Sequence, residues 1–163
     1  MDLPKRKQIR LPKYDYSSPG AYFVTICTHE RKRILSQIAV GADALGGPTL
    51  QLSAEGKTVE KYILSTDRIP GVHVDKYIIM PNHVHMILSI DADGGPPRAA
   101  APTASIPRAV SALKRFANRD LHRNIWQRSY HEHIICGAED HQQIWEYIDT
   151  NPAKWAEDRY YST

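Results

Sequence analysis

Residues 72–80 and 83–90 are two runs rich in β-branched and apolar residues, separated only by Pro81-Asn82. That spacing leaves room for a tight turn and little else, so the runs are expected to form an antiparallel hairpin. Side chains alternate faces along a strand. In the second run Val84, Met86, Leu88 and Ile90 therefore share one face, suited to a core, and His83 and His85 share the other. Two imidazoles side by side on a sheet are a ready pair of metal ligands. They also fit two surface residues on an exposed sheet, since two ligands alone do not make a site.

Around this hairpin the chain alternates strand and helix patterns. Residues 21–28 (AYFVTICT) have the β-branched and aromatic content of a strand. Gly41, Gly46, Gly47 and Pro48 mark residues 39–49 as a loop. Ser53 is placed to cap a helix over residues 54–65, which Gly56 weakens. The Gly-, Pro- and Ala-rich stretch 91–103 shows no periodicity and reads as a loop. Ser105 then caps an amphipathic helix over residues 106–121, with Ile106, Val110, Leu113, Ala117 and Leu121 apolar. Arg108, Arg115, Arg119 and Arg123 form a basic stripe along another face of it. A strand over 130–136 and a helix over 139–150 follow. Pro152 interrupts that helix, and residues 153–158 form a short further one.

This order matches a split β-α-β-β-α-β unit, an α+β, ferredoxin-like antiparallel sheet with helices on one face and an added C-terminal helix. The other face of such a sheet is expected to be open. His83 and His85 should lie on it if Val84, Met86 and Leu88 pack under the helices. Residues 1–20, basic and punctuated by Pro4, Pro12 and Pro19, read as an extended leader to a single domain over 21–163.

The composition, 42% hydrophobic and 24% charged over 163 residues, is that of a soluble globular domain. No apolar stretch is long enough to span a membrane, and the charged N-terminus lacks a secretory apolar region. Cys27 and Cys136 match no redox or ligand spacing, so a reducing cytoplasm is the expected location. Residues 1–33 hold eight Lys/Arg against three Asp/Glu, and residues 98–128 hold seven against one. Two basic regions on a nearly neutral chain point to an anionic partner, with nucleic acid the leading class.

Two further candidates stand out. His131-Glu132-His133 repeats the His-x-His spacing in the last strand. His133 could adjoin the first pair as a site neighbour or contact substrate, or both histidines could be surface residues. Tyr147 lies one helical turn before Asn151, whose amide oxygen is a hard ligand suited to magnesium or manganese. Pro152 disfavours a helical conformation at Asn151, and a half-buried core aromatic is the simpler reading of Tyr147. Tyr62, Tyr77, Tyr130, Tyr160 and Tyr161 read as packing or surface residues.

Four segments carry a more specific signal: residues 9–28 (IRLPKYDYSSPGAYFVTICT), 77–88 (YIIMPNHVHMIL), 125–135 (IWQRSYHEHII) and 147–154 (YIDTNPAK). In this order the chain resembles the REP-associated tyrosine transposases, relatives of the insertion-sequence-200-like single-strand transposases in the His-hydrophobic-His (HUH) nuclease superfamily. The resemblance implies that His83, His85 and Asn151 hold a divalent metal, Mg2+ or Mn2+, and that Tyr147 is a single nucleophile. It implies cleavage and rejoining of single-stranded DNA beside REP-type hairpins through a 5′-phosphotyrosine. Substrate binding would then fall to Arg108, Arg115 and Arg119, to the leader and to Arg31, Lys32 and Arg33. The protein is expected to be a monomer or a homodimer. A ferredoxin-like nucleic-acid-binding protein without catalysis is the alternative. A small-molecule metal hydrolase using both His-x-His pairs is a third reading, and it would need a further carboxylate ligand.

Overall fold

The structure, a computed structural model, describes residues 14–39, 47–92 and 104–161. Most of the leader, the centre of the Gly-rich loop at 39–49 and most of the loop at 91–103 lie outside them. Six strands are described: β1 (Gly20–Cys27), β2 (Ser36–Ala39), β3 (Thr49–Leu52), β4 (Val72–Ile79), β5 (His83–Ile90) and β6 (His131–Ile134). The α-helices are α1 (Ala54–Leu64), α2 (Ile106–Asp120) and α3 (Gly137–Thr150). Four strands form one antiparallel sheet in the order β4-β5-β1-β6. With α1 between β1 and β4, and α2 between β5 and β6, this is the expected ferredoxin-like sheet.

The hairpin forms as its spacing requires. Pro81 and Asn82 make the turn, and Ile79 pairs with Val84. One face of the sheet carries Tyr22, Val24 and Ile26 from β1 with Val84, Met86 and Leu88 from β5. Val59 and Ile63 of α1 and Val110, Leu113 and Ala117 of α2 close over them, and all are buried. Each such side chain taken from water contributes on the order of 2 kcal/mol. Both helices begin at the serines that the sequence marks. The Ser53 hydroxyl accepts from the Gly56 N–H at 2.9 Å, and that of Ser105 from the Arg108 N–H at 3.4 Å. Among the described residues, no helix is long and apolar enough to cross a membrane.

The other face of the sheet departs from expectation, because it is covered rather than open. α3 and the chain after it lie on it, and His83 and His85 are fully buried. Ile148 anchors α3 at 1% exposure. Lys76 of β4 ties the helix down, with Nζ 2.6 Å from Asp149 Oδ1 and 4.2 Å from the centre of the Trp145 ring. A second departure is a two-stranded sheet, β2 with β3, running from Ser36 against Leu52 to Ala39 against Thr49. These short strands flank the Gly-rich loop, and SQIA and TLQL lack the β-branched density that marks strands elsewhere. The leader's last residues are packed as well: Tyr14 and Tyr16 lie against Tyr22.

Gly56 has a structural reason to be glycine. A Cβ there would stand 2.0 Å from the Leu35 carbonyl oxygen. Gly56→Ala would gain about 1 kcal/mol of helix propensity. It would lose more by forcing backbone apart, so urea unfolding should show net destabilisation of about 2 kcal/mol.

Candidate active site

The buried face of β5 is built by strand register. β1 sets Thr25 opposite His85 and Cys27 opposite His83. The Thr25 hydroxyl lies 2.8 Å from His85 Nδ1, and Asn82 Oδ1 lies 2.8 Å from His83 Nδ1. Asn82 is itself oriented by donating its Nδ2 to the Tyr160 carbonyl at 2.8 Å. An amide oxygen only accepts, so His83 Nδ1 carries the proton and its Nε2 presents a lone pair. The Thr25 hydroxyl can accept from His85 Nδ1, which permits the same tautomer there. The two Nε2 atoms are 3.0 Å apart. Lone pairs converging at that distance repel unless a positive charge sits against them.

Two oxygen-bearing side chains complete the cluster. Asp158, with its side chain 1% exposed, has Oδ2 3.9 Å from His83 Nε2. That oxygen accepts from Asn151 Nδ2 at 2.7 Å, and Oδ1 accepts from the Tyr160 backbone N–H at 2.7 Å. Asn151 Oδ1 is buried with no hydrogen-bond partner, a costly state for an amide oxygen. Asn151 keeps helical angles despite Pro152 (φ −56°, ψ −43°), so it remains on the helix one turn beyond Tyr147. Burial pushes His83 down to about 4 and His85 well below the usual imidazole range. Both rings are therefore neutral at pH 7, the state a metal ligand requires. Two imidazole nitrogens, an orphaned amide oxygen and a buried carboxylate together suit a divalent cation.

Tyr147 reaches this cluster from α3. Its hydroxyl is 3.4 Å from His85 Nε2 and 3.4 Å from Asp158 Oδ2, and its ring stands edge-on to Phe23. The residue is 37% exposed, so substrate can reach it. Burial, with the Asp158 carboxylate adding to it, raises the phenol to about 12. A cation held by His83, His85 and Asp158 would oppose the Asp158 contribution. Beside Tyr147 opens a cavity of about 480 Å3, with His131, His133 and Arg159 on its walls.

Not every candidate meets here. His133 lines the cavity but bonds Asp140 at 2.9 Å, away from the histidine pair. Arg31 and Arg33 face the chain's own C-terminal segment. Arg31 lies 5.8 Å from the Tyr160 ring centre, and Arg33 lies over both Trp155 and Tyr161. Lys32 pairs with Glu30 at the surface. Arg108, Arg115 and Arg119 stand on α2, across the sheet from the histidines. There Arg115 and Arg119 flank Phe116, and Arg119 also bonds Asp120. Tyr160, read as a packing or surface residue, is a packing residue, buried with its ring 4.7 Å from that of His83. Asp158, Thr25 and Arg159 were not anticipated. Only the spacing of Thr25 in a strand beside β5 offered a signal; Asp158 and Arg159 follow Pro152 in a segment without a motif.

With this geometry in view, the chain's kinship is clear. Residues 20–151 match the family described as "Transposase IS200 like", and the chain belongs to that family. An uncharacterized protein of Haemophilus influenzae is 32% identical over 174 residues, covering 96% of this chain and 93% of its own. A solved REP-associated tyrosine transposase, bound to a REP hairpin, shares the fold with a TM-score of 0.63 at 18% identity. That alignment covers 92% of this chain and 76% of the other. The protein is thus a transposase by family, an enzyme acting on DNA.

The depressed histidines have a consequence for stability. The folded value of His83, about 4, and that of His85, well below normal, both lie under the unfolded value near 6.5, so the unfolded chain binds more protons as pH falls from there. Stability contributed by the neutral rings is present above pH 6.5 and is lost as pH falls below it. In chelator-treated protein, each ring adds up to about 1.4 kcal/mol per pH unit. Urea unfolding between pH 7 and 4.5 should show that slope, and His83→Gln should lessen it.

Proposed function

We propose that the chain is a divalent-metal-dependent, single-tyrosine transposase of the HUH type that cleaves and rejoins single-stranded DNA at REP-type hairpins. The carrying observation is the convergence of both Nε2 atoms and the Asp158 carboxylate beneath the Tyr147 hydroxyl, with Asn151 bonded to that carboxylate and its Oδ1 left without a partner. In this reading His83, His85, Asn151 and Asp158 hold the ion, Mg2+ or Mn2+, which when bound polarises a phosphoryl oxygen. Asn82 and Thr25 fix the imidazole orientation.

Tyr147 attacks the scissile phosphorus. The Oη–P bond forms as the P–O3′ bond breaks, and the 3′-oxygen leaves with the bonding pair and takes a proton from water. The phenolic proton passes to solvent. The 5′-phosphotyrosine keeps the energy of the phosphodiester, so the reverse attack by a 3′-hydroxyl rejoins strands without a nucleotide cofactor. Phe23, edge-on to Tyr147, limits the ring's swing and holds the hydroxyl over the histidines. The basic stripe of α2 supplies phosphate contacts remote from cleavage, and residues 21–163 act as one catalytic domain.

Incubation with a 5′-extended hairpin oligonucleotide and Mn2+ should give a covalent adduct that survives denaturation. Tyr147→Phe should abolish the adduct while leaving hairpin affinity within about twofold. A chelator-insensitive protein that binds the hairpin and never forms the adduct would instead be a binding module. Separately, Asn151→Ala should weaken Mn2+ binding at least about 10-fold by calorimetry, without unfolding the chain.

A further inference from the structure

One cation of the cleft has no part in the chemistry above. A phosphate reaching the Tyr147 hydroxyl must enter the cavity beside it, whose walls include Phe23, His85, His131 and Arg159. Of the histidines there, His85 is buried against His83 and His133 is engaged with Asp140. A guanidinium carries a fixed positive charge, and the cleft wall holds one, on Arg159. Among the described lining residues it is the one permanent positive charge.

The position of Arg159 is fixed rather than trailing. Its backbone carbonyl accepts from Arg31 Nη1 at 3.4 Å, and the next carbonyl, of Tyr160, accepts from Asn82. Its guanidinium lies 4.7 Å from the Tyr160 ring centre and donates one N–H to the Tyr160 hydroxyl at 2.8 Å. That arrangement sets the guanidinium plane and leaves the remaining N–H groups for a ligand. A planar guanidinium on a cleft wall, with donors to spare, matches the paired oxygens of a phosphate.

We propose that Arg159 is the phosphate clamp of this cleft, binding non-bridging oxygens of the phosphodiester presented to Tyr147. It rests on the strand-cleavage reading. The clamp holds the phosphate on the side of Tyr147 facing His131 and stabilises the charge that grows there as the Oη–P bond forms. This adds a residue to the reaction that lies outside both the His-x-His strand and the tyrosine helix.

The test measures single-turnover adduct formation with Mn2+ on two hairpin oligonucleotides, one normal and one with a methylphosphonate at the scissile position. On the normal strand Arg159→Ala should slow the reaction about 100-fold, and Arg159→Lys should recover part of the loss. On the methylphosphonate, which lacks the charged oxygen, wild type and Arg159→Ala should agree within about threefold. Mn2+-induced thermal stabilisation should be the same in both proteins, which separates a lost clamp from a disturbed metal centre. Wild-type speed in Arg159→Ala, equal losses on both substrates, or loss of the Mn2+ response would each overturn the clamp alone. A wild-type protein that forms no adduct would overturn the cleavage reading, and the clamp with it.

Discussion

The pairing of β1 with β5 sets everything else in the site. Its register brings Thr25 to His85, and with the turn at Asn82 it holds both rings so that their Nε2 atoms meet. A shift of one residue would turn both imidazoles into the apolar core and Val84 and Met86 out of it. The core therefore enforces the site. Burial of Val84, Met86 and Leu88 beneath α1 and α2 fixes which face the histidines occupy, and hydrogen bonds fix how they point.

The second face shows how the site is finished. α3 brings Tyr147 and Asn151 together because they lie one turn apart on a helix that stays regular to its last residue. The segment after Pro152 then folds back, adding Asp158 below and Tyr160 alongside. Neutral, buried imidazoles next to a buried carboxylate form a pocket whose favourable occupant is a cation. Arg31 and Arg33, placed against Trp155, Tyr160 and Tyr161, hold this segment in position.

Much of this was legible in the sequence, for physical reasons. The hairpin, the capped helices and the face carrying His83 and His85 follow from local periodicity and capping, which depend on near neighbours. The cover over those histidines did not, because the docking of α3 rests on Lys76 of β4, far in the chain from Trp145 and Asp149. Asp158 joins His83 across a long sequence separation and belongs to no motif. The Arg31–Arg33 run reads as a solvated basic patch, since nothing local reveals the aromatic residues that meet it. β2 and β3 have no signature in the sequence, because four-residue strands beside a glycine-rich loop carry too little pattern.

The central claim is that Tyr147, over the histidine pair, is the residue joined to DNA. It is tested most directly by digesting the Mn2+-dependent adduct and locating the nucleotide by mass spectrometry. The account predicts a phosphonucleotide on the peptide bearing Tyr147. Attachment at Tyr160, whose ring lines the same cavity, or at any other side chain would contradict it.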